Sequence, residues 1–105
     1  MTKKPSSKRA SLPRQVGYTR EFKKSWERYK RAGQRDMNLA VTVMQIIYAG
    51  EPIPPEYLDH SLLGVEWAGT RELHISGDFL LVYRLSDKGD SVIFVDIGTH
   101  SELFG

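Results

Sequence analysis

The chain has 105 residues, enough for one domain with a real but thin core, and its 40% apolar and 27% charged content is that of an ordinary globular protein. It has no cysteine, which excludes disulfide frameworks and cysteine-based zinc sites and suits a reducing compartment. The formal charge of +2 conceals an asymmetry: residues 1–35 hold twelve lysines and arginines against Glu21 and Glu27, while residues 36–105 hold Arg71, Arg84 and Lys88 against eleven acids. Such a split reads either as a surface for nucleic acid or an acidic partner, or as a solvated helix face with a soluble tail. No apolar run approaches the roughly 18 residues of a membrane span. No apolar core follows the basic first residues either, so neither a membrane segment nor a secretory signal is expected and the default location is cytoplasmic.

Residues 1–13 are rich in Lys, Ser and Pro and read as a disordered basic tail, because they offer too little apolar surface to offset ordering entropy. Arg14 to Tyr18 could form a short edge strand. Thr19 is placed to cap a helix whose first turn holds Glu21. Phe22, Trp26 and Tyr29 recur at helical spacing as a buried stripe, and Arg20, Lys24, Arg28 and Arg31 form a basic ridge on another face, with Lys23 beside it. Gly33 ends this helix. Asp36 caps a second one, with an apolar face of Leu39, Val43, Ile46 and Ile47 and a stop at Gly50. The two should form an antiparallel helical hairpin. Pro52, Pro54 and Pro55 then require an extended connection.

The second half reads as β structure. From Arg71 to Ser76 the sequence alternates, with Leu73 and Ile75 on one face and Glu72 and His74 on the other. Ser76-Gly77-Asp78 is a tight turn, and the apolar run Phe79 to Tyr83 a central strand covered on both faces. Asp87-Lys88-Gly89-Asp90 is a second turn, and Val92 to Ile97 a third strand. The expectation is an α+β domain over residues 14–105: two N-terminal helices packed on a small antiparallel sheet, with a short C-terminal turn or helix.

Histidine exchanges protons near neutral pH, and His60, His74 and His100 all fall in this second half. Two histidines at neighbouring strand ends can act as base and acid on opposite sides of a phosphodiester, but three unrelated surface histidines would give the same spacing. Metal binding competes as a reading. No histidine pair has the i, i+4 spacing of a helical zinc motif, so no metal or cofactor is expected. Ser76 and Ser101 lack anything like a nucleophile elbow.

Four ordered motifs settle which reading to carry. They are Tyr57-Leu58-Asp59-His60-Ser61-Leu62-Leu63-Gly64, Arg71-Glu72-Leu73-His74-Ile75, Asp78-Phe79-Leu80-Leu81-Val82-Tyr83, and Gly98-Thr99-His100-Ser101-Glu102-Leu103-Phe104. Together they resemble the YafQ-type toxins of the RelE/ParE superfamily, from about Tyr18 to the last residue. The resemblance implies a RelE-like fold and a toxin of a type II toxin–antitoxin pair, an endoribonuclease that cleaves mRNA in the A site of the 70S ribosome without metal. It also implies a cognate antitoxin, for which the basic first third predicts an acidic, disordered wrapping segment. By motif, the catalytic set falls on His60, His74, Asp78 and His100, and Phe104 becomes a stacking platform for a base. Arg71, Arg84, Lys23, Lys24 and Arg28 become the cationic substrate contacts. The relatives usually carry Arg two residues before the Gly of Gly-Thr-His. This chain has Asp96 there, so the charge that stabilises the phosphorane has to come from Arg71, Arg84 or a protonated histidine. The alternative reading is a non-catalytic, ParE-like toxin or RNA- and ribosome-binding module.

Overall fold

The computed structural model describes residues 12–105. The tail expected over residues 1–13 therefore lies, apart from Leu12 and Pro13, outside the described residues. Both helix starts follow from local chemistry. The Thr19 hydroxyl accepts from the Phe22 amide at 2.9 Å and opens α1 (Arg20–Ala32), and the Asp36 carboxylate accepts from the Leu39 amide at 2.9 Å and opens α2 (Met37–Ala49). Gly33 and Gly50 close the two helices at φ +67° and +74°, a region that L side chains avoid. The proline run that follows forms one 3₁₀ turn, Pro55–Tyr57, within an otherwise extended connection.

The strands are β1 (Gln15–Tyr18), β2 (His60–Ser61), β3 (Thr70–Ser76), β4 (Phe79–Leu85) and β5 (Ser91–Thr99), and the chain ends in the one-turn helix α3 (His100–Phe104). They form one sheet in the order β1-β5-β4-β3-β2. Strands β3 to β5 pair antiparallel, as the alternation and the two turns predict, and the unexpected β2 adds to β3 antiparallel as well. Strand β1 departs from that pattern and runs parallel to β5, with Gln15 opposite Ser91 and Tyr18 opposite Phe94. A parallel neighbour requires the chain to cross over, and α1 and α2 occupy that crossover.

The core lies between the helices and one face of the sheet. Phe22, Ala40, Val43 and Ile47 meet Leu73, Ile75, Phe79, Leu81, Tyr83, Val92, Phe94 and Ile97 there. Strand β4 is buried throughout Phe79–Tyr83, so its Leu80 and Val82 are covered on the other face too. Helix α3 packs along β5 on its way across the end of the sheet. No helix among the described residues is long and apolar enough to cross a membrane.

Candidate active site

Period-two alternation sorts the second half onto two faces. Leu73 and Ile75 enter the core, so Glu72 and His74 project from the face opposite α1 and α2. Strand β2 pairs His60 with Glu72 and adds a second histidine to the same patch. The His60 and His74 rings lie 6.5 Å apart, and Glu72 sits between them: its Oε2 is 3.1 Å from His60 Nε2 and 3.9 Å from His74 Nε2. The Glu72 side chain is only 8% exposed, which makes it the buried hinge of the pair. His60 Nδ1 is bound to the Leu58 carbonyl at 2.7 Å, so its ring is held at two points, and His74 Nδ1 is bound to the Gly77 carbonyl at 3.1 Å.

Helix α3 brings His100 and Phe104 to the same place. Five residues cannot hold a helix unaided, and Glu102 provides the support. Its side chain closes a capping box with Thr99, accepting from the Thr99 amide at 2.9 Å while the Thr99 hydroxyl accepts from the Glu102 amide. It also accepts from the Tyr29 hydroxyl of α1 and lies 3.7 Å from Arg28. The Thr99 amide, the Tyr29 hydroxyl and Arg28 together hold the Glu102 carboxyl below its usual range. Gly98 is required for closeness: a Cβ there would stand 2.9 Å from Glu102 Oε1.

The result is a cleft of about 490 Å³ whose lining includes His60, Glu72, Leu62, Trp67, His100 and Phe104. The Phe104 ring lies 5.2 Å from that of His100 and meets Trp67 edge-on at 5.4 Å. Histidines carried on β2 and α3, an aromatic wall and a buried carboxylate thus share one opening. Such a set can exchange protons with a substrate held against a ring face.

The expected site residues do not all join it. His60, His100 and Phe104 line the cleft, and His74 adjoins it through Glu72. Asp78 sits on the β3–β4 turn and pairs with Arg35 at 3.1 Å, with 62% of its side chain exposed. Arg71 corrects the expectation. It alternates onto the helix side of the sheet, where Asp59 takes its guanidinium through two nitrogens, at 3.1 and 2.8 Å. It is therefore already neutralised and faces away from the histidines. Arg84 stays on the histidine face, donating to the Thr70 hydroxyl at 3.2 and 3.1 Å. Arg28 flanks α3 through Glu102, with the exposed Lys24 one turn before it on the same stripe. Lys23 points elsewhere, into a groove between the helices with Trp26 and Met44.

Two residues were not singled out in the sequence. Glu72 had a signal, since it shares a strand face with His74. Trp67 had none, because it stands in a 3₁₀ turn, Val65–Trp67, that no periodicity marks. Asp96 does not enter the cleft. Its carboxylate accepts from the buried Ser25 hydroxyl and from the Ile97 amide, both at 2.8 Å, beside an irregularity in the β4–β5 register.

Comparison with known proteins gives a consistent picture. Residues 14–105 match the family described as bacterial toxin of type II toxin–antitoxin system, YafQ. The mRNA interferase toxin YafQ of Escherichia coli K12 is 36% identical over 89 residues, which cover 84% of this chain and 88% of that protein. The toxin in the crystal structure of the E. coli DinJ–YafQ toxin–antitoxin complex superposes with a TM-score of 0.80 at 32% identity, covering 90% of this chain and all of that one. A Helicobacter pylori toxin whose crystal structure is described as metal-bound superposes with a TM-score of 0.75 at 30% identity, covering 86% of this chain and 98% of that one.

Proposed function

This chain belongs to the YafQ family of bacterial type II toxins, and on that premise we propose that it is an mRNA interferase, an endoribonuclease acting in the cytoplasm on mRNA held in the ribosomal A site. The observation that carries the reading is the cleft in which His60 and His100 come from different elements, with His74 and the buried Glu72 behind the first. Cleavage by the adjacent 2′-hydroxyl needs a base to take its proton, an acid to protonate the leaving 5′-oxygen, and positive charge at the phosphorane. The imidazoles on β2 and β3 and the imidazole on α3 supply base and acid between them. Leu58 O and an ionised Glu72 are both acceptors, so His60 satisfies both contacts when it is protonated, and in that form it also carries charge. Arg84 is a guanidinium on the histidine face of the sheet. It lies diagonally across the β3–β4 pair from Glu72 on the same face. Phe104 and Trp67 offer the ring surface against which an unstacked base is held, and that holding replaces a share of the catalytic burden with orientation.

The proposed steps run on side chains alone. The partner that restrains the activity is an antitoxin. The groove of about 680 Å³ between α1 and α2, walled by Tyr18, Phe22, Trp26, Met44 and Tyr48, offers its apolar residues a seat. The basic ridge of α1 offers its acidic ones charge partners.

The test is to induce the protein in bacteria and map mRNA 5′ ends. Breaks at a fixed position within codons are the expected result. Growth arrest without breaks would favour a toxin that binds its target and cleaves nothing.

A further inference from the structure

His60 occupies an exposed position that secondary structure alone holds poorly. Strand β2 is two residues long and lies at the sheet edge, pairing only through His60 with Glu72 and Ser61 with Arg71. The approach to it passes through Leu58 at φ +52°, a left-handed conformation that a leucine adopts only under constraint. An edge this short frays readily. A proton-transfer group on it would wander by more than catalysis tolerates, since a displacement of about 1 Å can cost on the order of a hundredfold in rate.

The residues on either side of His60 supply the constraint, from the other face of the sheet. Arg71 donates through Nε and Nη2 to Asp59 at 3.1 and 2.8 Å, and through Nη1 to the Ser61 hydroxyl at 2.8 Å. Its planar fork thus spans the residue before His60 and the residue after it. Tyr83 of β4, itself in the core, donates its hydroxyl to the other Asp59 oxygen. Burial foremost, then Asp59, raises the phenol far above its ordinary range, so it remains a donor, and the Asp59 bond likewise raises Arg71. None of these three side chains reaches the cleft. We propose that Asp59, Arg71 and Tyr83 are positioning residues that fix His60 for catalysis through the sheet, by clamping both of its chain neighbours. The proposal rests on the nuclease reading only for the word catalysis; the clamp itself is testable without it.

The experiment uses the full chain with Tyr83→Phe, which keeps the core ring and removes only the hydroxyl. Two quantities are read at one fixed pH: single-turnover cleavage of mRNA on saturating ribosome complexes, and the imidazole nitrogen resonances of the three histidines. Glu72, His74 and His100 are the titratable groups facing His60 from β3 and α3, so a change in His60 is judged against an unchanged His100. The expected result is a fall of about tenfold in the cleavage rate constant with half-saturation unaltered, and displaced or broadened His60 resonances. Arg71→Lys should act in the same direction, because an ammonium keeps the charge but cannot span Asp59 and Ser61 together. Parent His60 resonances and parent cleavage in both variants would overturn the proposal. So would a cleavage loss that only tracks the fraction of protein unfolded. If the unmodified protein cleaves nothing, the nuclease reading falls, and the His60 resonances alone decide the clamp.

Discussion

Asp96 stands where YafQ-type toxins usually carry an arginine, and a carboxylate in the cleft would repel the phosphate. The structure turns it into a packing residue. The Ser25 hydroxyl, 7% exposed in the middle of α1, donates to it, and the carboxylate also takes the following amide. Ser25→Ala should therefore lower the unfolding free energy by about 0.5–1.5 kcal/mol, the net contribution of one part-buried hydrogen bond. Cleavage should stay within about twofold of the parent. Urea unfolding run beside a cleavage assay checks both, and a cleavage loss without destabilisation would return Asp96 to the active site. Ser25 carries no sequence signal for this role, because its partner lies 71 residues away. Arg71 differs. Its motif named it as a substrate contact, yet the alternation that sends Leu73 and Ile75 into the core puts Arg71 on that same face, and only its partners Asp59 and Ser61 carried no signal. Glu72 was within reach of sequence reasoning, since the alternation that puts His74 on that face of the sheet puts Glu72 there too.

At the scale of elements, what is local was legible and what is distant was not. Both N-caps, both glycine stops and the meander of β3, β4 and β5 follow from residues a few positions apart. The parallel pairing of β1 with β5 joins segments more than seventy residues apart and leaves no periodic trace. Helix α3 lies between these cases. Thr99 and Glu102 spell a capping box, but Tyr29 and Arg28 come from α1. The pH dependence of α3 follows from Glu102, whose folded carboxyl lies below its ordinary value of 4.5. A lowered carboxyl contributes stability that is fully present above the unfolded value and is lost as pH falls through the folded one. Protection factors of the 100–104 amides in hydrogen exchange should accordingly hold through neutral pH and fall once pH drops below about 4.5. Glu102→Gln should remove most of that pH dependence. Protection that is independent of pH in the parent would show that Glu102 does not hold the helix.

Over the whole molecule, the surface offered to a partner and the histidine cleft open on different sides of the sheet. The basic ridge of α1 and the groove beside α2 lie on the helix side of the sheet, while the histidines open on the other. An antitoxin that restrains the enzyme through the first surface must also reach the second, which suits a segment that is extended when free and ordered on binding. Because exposed charge pairs are screened over about 8–10 Å near physiological ionic strength, its complex should weaken as salt rises. Titration calorimetry across a salt series checks this, and a salt-independent affinity would move the interface off the basic ridge. The claim on which all of this depends is that the histidine cleft cuts RNA. Mapping mRNA 5′ ends after induction, for the parent and for His100→Ala side by side, tests it most directly. His100 is exposed on α3 and leaves no core cavity when truncated, so the variant should fold and bind as the parent does. The account predicts codon-registered breaks with the parent and none with His100→Ala. Breaks of equal number and position in both would show that the active site lies elsewhere.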